Sequence, residues 1–142
     1  MAHDDPRYEP VDHPADVGIR VWGASPEALF ENAAHGLFDT ITDIDAIEPA
    51  LTRTIELEGS DFEDLLVHWL SELNYLFQTE QMLFASFHVE TLTERGLVAR
   101  LGGERRDGRR HEIEADIKGI TFHDLEIGPT SAGWEATVIF DV

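Results

Sequence analysis

The chain reads as an α+β fold, a single domain of two helices packed on a mostly antiparallel β-sheet. Three observations point there: two strongly amphipathic helical stretches come early, a block of alternating segments punctuated by turns comes late, and no linker or internal repeat divides the two. The 142 residues suit one domain spanning 1-142, long enough to bury roughly 70% of the surface its unfolded chain would expose.

The first ten residues are polar and read as a loose lead-in. Val17, Ile19 and Val21 then alternate with Gly18, Arg20 and Trp22, the period of a half-buried strand. Ser25-Pro26 supplies an N-cap with proline at the first helical position. Leu29, Phe30, Ala33, Leu37, Phe38 and Ile41 follow at helical spacing, which predicts a first helix from Pro26 to Thr42. Leu51 to Glu58 alternates Leu51, Arg53, Ile55 and Leu57 with Thr and Glu, a strand. Ser60 and Glu63 have the spacing of a capping box, and the stripe Phe62, Leu65, Leu66, Trp69, Leu70, Leu73, Leu76 and Phe77 predicts a second helix to about Gln78.

Beyond it, Phe84–Leu92 and Leu97–Leu101 read as strands joined at Glu94-Arg95-Gly96. Asp107-Gly108 carries a type I′ hairpin signal, although its arginine flanks are not apolar. Strands are expected over Ile113–Phe122 and Leu125–Ile127, then a turn at Gly128-Pro129-Thr130, then a last strand from Trp134 to Val142.

Composition excludes several function classes. With no Cys there is no disulfide framework, thiolate zinc site or thiol nucleophile. No apolar run at the N-terminus resembles a signal peptide and none elsewhere reaches about 18 residues, so a soluble cytoplasmic protein with no membrane partner is expected. The 29 acids against 10 Lys plus Arg give a formal net charge of -19, which repels phosphate backbones and weighs against direct high-affinity nucleic-acid binding. Nine of those ten cations are Arg and one is Lys118, a balance that resembles adaptation to a high-salt cytoplasm.

The residues able to carry chemistry are few. Asp16 sits where a turn enters a strand, and Asp141-Val142 offers a side-chain carboxylate beside a main-chain one. Together they are three hard oxygen donors suited to Ca2+, Mg2+ or Mn2+; equally, Asp141 reads as a solvated acid at a strand end and Asp16 as a turn residue. His13, three residues before Asp16, is placed to orient it. Strand parity would set Lys118 with Ile120 and Phe122, where a partly desolvated ammonium needs a carboxylate or phosphate partner; the alternative is a lysine reaching solvent from a strand end. His68 and Glu72 look like a solvated pair, while His111 and His123 flank the Lys118 segment. Gly103 to His111 holds four of the ten basic residues, either a local anion-binding patch or an arginine-solubilised turn. No P-loop, dinucleotide fingerprint, nucleophile elbow or HExxH occurs.

Taken in order, HPADVGIRVWG, SPEALFENAAHGLFD, SDFEDLLVHWLSELNYLFQTE, GERRDGRRH, IKGITFHDLEI and GWEATVIFDV resemble the archease family over essentially the whole chain. The resemblance implies a small α+β protein that activates an RtcB-type RNA ligase in tRNA splicing and RNA repair. Archeases promote guanylylation of the ligase's active-site histidine and permit multiple turnover, so GTP is used by the partner and tRNA is met through it; they are not known to catalyse ligation themselves. Carried across by motif, the family's metal site falls on Asp16, Asp141 and the carboxylate of Val142, with Ca2+ the expected ion. Lys118 and His123 match the family's KAITYH segment. Two departures stand out: Pro14 replaces the common Thr, and Gly119 the usual Ala. Two other classes remain beside the activator: a metal-dependent phosphoester hydrolase using the same carboxylates, and a general chaperone or adaptor.

Overall fold

The computed structural model describes residues 8–13, 16–131 and 133–142, and of residues 12, 13, 16 and 122–126 the main chain only. The elements run β1 (Tyr8–His13), β2 (Asp16–Gly23), α1 (Pro26–Ile41), a short 3-10 turn (Ile44–Ala46), β3 (Leu51–Glu58), α2 (Phe62–Glu80), β4 (Met82–Leu92), β5 (Gly96–Arg105), β6 (Gly119–Thr130) and β7 (Gly133–Asp141). They form two antiparallel sheets, β1-β2-β7-β6 and β3-β5-β4. The predicted α+β class holds, with the strands divided between two sheets.

The helices form for the reasons their sequences give. Ser25 Oγ accepts from the Ala28 amide at 3.1 Å, capping α1 as expected, and Pro26 opens the first turn. The α2 cap lies one residue later than the Ser60/Glu63 spacing suggests. Asp61 accepts from the Asp64 amide at 2.8 Å, and Asp64 reaches back to the Ser60 amide at 2.9 Å. Two carboxylates thus accept from one amide of the first turn and one just before it, where the helix dipole favours negative charge.

One core joins the layers. Leu29, Phe30, Ala33, Leu37, Phe38 and Ile41 of α1 meet Leu65, Leu66, Trp69, Leu70 and Leu73 of α2, all fully buried, each large side chain contributing about 1.5–3 kcal/mol. Phe38 stacks on Phe87 and meets Phe84 edge-on, tying α1 to β4. The Trp69 indole donates to the Phe30 carbonyl at 2.8 Å, which satisfies the one polar atom that this large side chain brings inside.

Five parts of the chain depart from expectation. The lead-in contains a strand: β1 pairs with β2 from Tyr8↔Val21 to His13↔Asp16. It is an edge strand, where Pro10 and charged residues are tolerated and the apolar alternation fades. β5 continues past Leu101 through Gly102-Gly103, where the missing side chain lets β4 pack close: a Cβ at Gly103 would meet the Leu83 carbonyl at 2.0 Å. The predicted strand over Ile113–Phe122 does not form as such. Residues 111–118 have no regular structure, β6 begins at Gly119, and one strand with a register break between Thr121 and Glu126 replaces the two expected. The expected turn at Gly128-Pro129-Thr130 is also paired strand, the ladder running to Thr130↔Gly133, where Gly133 takes φ 137°.

Asp107-Gly108 is likewise no hairpin apex. The Arg110 and His111 amides both donate to the Asp107 carbonyl, at 3.0 and 2.8 Å, forming a tight turn that leaves β5 without pairing back.

Candidate metal site at the strand ends

The two sequence-distant acids are brought to one end of one sheet by register alone. β2 begins at Asp16 and β7 ends at Asp141, and their ladder runs antiparallel to the rung Val17↔Phe140. The next residues outward are Asp16 and Asp141. On the other side of β7, Asp141 pairs with Gly119, and the Lys118 amide donates to the Asp141 carbonyl at 2.7 Å. β7 is therefore flanked by β2 as far as Phe140 and bonded on its other side up to its last residue, and Asp141 and Val142 are exposed there.

Along β7, Ala136, Val138 and Phe140 face the core while Glu135, Thr137 and Asp141 alternate outward, as the strand period requires. Ile139 is the exception on the outer face, 1% exposed. The side chains of His13, Asp16 and His123 lie outside the described set, as do Pro14 and Ala15; the main chain pairs His13 with Asp16 across the β1–β2 ladder. Among the described residues no three His, Asp or Glu side chains converge on a common point. The described donor chemistry, an exposed carboxylate at a fixed strand end beside a second strand that begins with Asp, suits a hard, oxygen-seeking cation.

Lys118 is not a strand residue and is exposed, so the partly desolvated ammonium expected from strand parity is not what forms. Its main chain, not its side chain, is what touches the Asp141 strand. Gly119 beside it has open space where a Cβ would stand, so an alanine would fit there without adjustment.

The basic run resolves into pairs. Arg110 is bound to Glu104 and lies 3.4 Å from Asp107, and Arg105 donates to the Glu80 carbonyl at 2.9 Å at the C-terminal end of α2. Burial alone would raise the Glu104 carboxyl. The hydrogen bonds from Arg110, the Glu48 amide and His111 outweigh it and hold the group below its ordinary value. His111 is buried, accepts the Asp107 amide at Nδ1, and so offers its Nε2 proton to Glu104 Oε2 at 3.0 Å and the Ala46 carbonyl at 3.2 Å. This histidine is structural, and the outward guanidiniums of the run reduce to Arg106 and Arg109, both exposed. His68 is spent on the Glu58 carbonyl and Asp64, not on Glu72.

A cleft of about 590 Å³ opens at the opposite end of the β2/β7 ladder, lined by Trp22, Trp134, Glu31, Asn32 and Glu135, and is separate from the Asp141 end.

Residues 8–142 match the model of the Archease protein family. The chain belongs to the archease family. A curated relative, the protein archease of Methanosarcina barkeri, is 38% identical over 146 residues, covering all of both chains. The solution structure of protein 1598 from Methanobacterium thermoautotrophicum superimposes with a TM-score of 0.80 at 32% identity, over 97% of this chain and 100% of that one. The crystal structure of an archease from Thermotoga maritima, described as a possible chaperone, matches with a TM-score of 0.64 at 18% identity, over 94% and 96% of the two chains. That last likeness shows the shared archease fold.

The sequence singled out both acids and Lys118, but it missed Asn74. This residue lies on α2 at helical spacing from Leu70 and Phe77, inside the apolar stripe, and is 6% exposed. A lone carboxamide in an otherwise apolar stripe was the signal that could have found it.

Proposed function

We propose that this archease is a non-enzymatic activator of an RtcB-type RNA ligase, promoting guanylylation of the ligase's active-site histidine and multiple turnover in tRNA splicing and RNA repair. The observation that carries the reading is the family match over residues 8–142, joined to a register that sets the main chains of Asp16 and Asp141 at the same end of adjacent strands. Asp16, Asp141 and the Val142 carboxylate are the proposed donors for a divalent cation, Ca2+ first, with Mg2+ or Mn2+ as alternatives. A bound cation would supply positive charge that an acidic surface lacks where a nucleotide or the partner's phosphates approach. His13 and His123 are proposed to orient the donors, and Lys118 to meet an anionic group of the partner or its nucleotide. The chain's own part is positioning: a fixed strand end, carrying carboxylates, presented to the ligase.

GTP and tRNA reach this protein only through the ligase in this reading. The acidic, lysine-poor surface fits a high-salt cytoplasm, and among the described residues no helix is long and apolar enough to cross a membrane. The test is transfer of labelled GMP to the partner ligase. Wild-type protein is expected to accelerate it, and Asp16→Ala and Asp141→Ala to lose most of that effect; equal stimulation by all three would remove the acids from the function.

A general chaperone is the second reading, favoured by the description of the Thermotoga maritima relative. It predicts suppression of aggregation of unrelated proteins, without metal and without ligase.

A further inference from the structure

The peptide unit between Ile117 and Lys118 is held from both edges. Its carbonyl accepts from Asn74 Nδ2 at 2.7 Å and more weakly from Gln78 Nε2 at 3.3 Å, both on α2. Its amide donates to the Asp141 carbonyl at 2.7 Å. A trans peptide is planar and stiff, so these bonds make one short strut from the buried face of α2 to the last residue of β7. The Ile117 side chain, fully buried, and the Gln78 contact to Asp116 at 3.0 Å fix the same segment.

Asn74 gives up a hydrogen bond to do this. Its Oδ1 is, among the described residues, the one buried side-chain polar atom without a partner. Turning the carboxamide over would face Oδ1 to the Ile117 carbonyl, acceptor against acceptor, so the observed orientation is forced. A leucine in this stripe would pack without an orphan acceptor, and a residue that keeps such a cost is the kind of exception that marks a functional constraint.

We propose that Asn74 is a positioning residue that sets the Asp141 end of β7 for cation binding, acting through the Ile117–Lys118 peptide. This rests on the reading of Asp141 as a metal donor. Loss of the carboxamide frees the peptide, the terminal rung frays, and the donors lose their fixed spacing while every acid remains in place.

The experiment compares wild type, Asn74→Leu, Gln78→Ala, Asp141→Ala and the distant core variant Val89→Ala, using Ca2+ alone as calorimetric probe and amide hydrogen exchange as second readout. Asn74→Leu is expected to weaken Ca2+ binding about tenfold and to speed exchange at the Lys118 amide by a similar factor. Gln78→Ala should do the same to a smaller degree, which keeps the test available if Asn74→Leu does not fold. Val89→Ala should lower the thermal midpoint and leave both readouts unchanged. If Asn74→Leu binds Ca2+ as wild type does while Asp141→Ala loses it, the strut is refuted and the metal site stands. If wild type takes up no Ca2+, the metal reading fails; unchanged Lys118 exchange in Asn74→Leu would refute the strut by itself.

Discussion

The main-chain amide of Lys118 and the carbonyl of Asp141 are joined at 2.7 Å, so the end of the last strand is bonded to an irregular segment that α2 itself holds. Strand ends ordinarily fray, because their final groups lack a partner on one or both sides. Here β2 flanks β7 on one side to Val17↔Phe140 and the Lys118–Gly119 segment flanks it on the other to Asp141. A carboxylate used for recognition is better placed on such a fixed end than on a loose tail, since less freedom is lost on binding.

The α2 cap gives a first prediction. Asp61 is the N-cap and Ser60 stands outside the helix, so Asp61→Ala should cost about 1 kcal/mol and Ser60→Ala clearly less. Urea titrations of both variants check the order, and a larger loss at Ser60 would return the cap to the position that the sequence spacing suggested.

Acid stability should depend on Glu104. Its folded carboxyl is held low by Arg110, the Glu48 amide and His111 against the opposing effect of burial. A depressed folded value contributes stability that is present above the unfolded value of about 4.3 and is lost as pH falls through the folded one. Glu104→Gln should therefore be less stable at neutral pH and lose stability less steeply on acidification below about pH 5, measured by thermal midpoint against pH.

On the alkaline side the group to watch is Tyr8. Burial, and then the hydrogen bond to Asp39 at 2.9 Å with the charges of Asp39 and Asp45, pushes its phenol above the ordinary range. A raised folded value contributes stability that is fully present below the unfolded value of about 10 and is lost as pH rises. Tyr8→Phe should flatten the decline of stability above about pH 10, and an unchanged alkaline limb would show that the phenol does not titrate against the fold.

Net charge makes a prediction about salt. At -19 the folded chain repels itself, and screening on the 10 Å scale of 0.1 M salt relieves that repulsion. The thermal midpoint should climb as KCl rises into the molar range, and a flat or falling response would count against a high-salt setting.

Much of this fold was legible from pattern, and the failures share a cause. Ser25-Pro26 and the apolar stripes located both helices because a helix is held by its own backbone. The alternation of Ile113, Ala115 and Ile117 does match alternating burial with Ile117 inside, but a strand needs another strand, and spacing carries no record of the partner. The Glu112 and Ile117 carbonyls accept instead from the Thr42 and Asn74 side chains, at 2.6 and 2.7 Å. β1 was missed for the opposite reason, since an edge strand can carry Pro10, Glu9 and Asp12 and still pair fully with β2. At the candidate site, the acids were visible as residue types in suggestive places. Their adjacency followed only from register, and the Asn74 strut only from three-dimensional hydrogen bonding.

The role of Asp141 in activation is tested most directly by multiple-turnover RNA ligation by a partner RtcB-type ligase with substoichiometric amounts of this protein, wild type or Asp141→Ala, with GTP and a divalent cation present. Many turnovers per ligase are expected with wild type and close to the unassisted level with Asp141→Ala, although the variant remains folded. Full stimulation by Asp141→Ala, or none by wild type, would contradict that role.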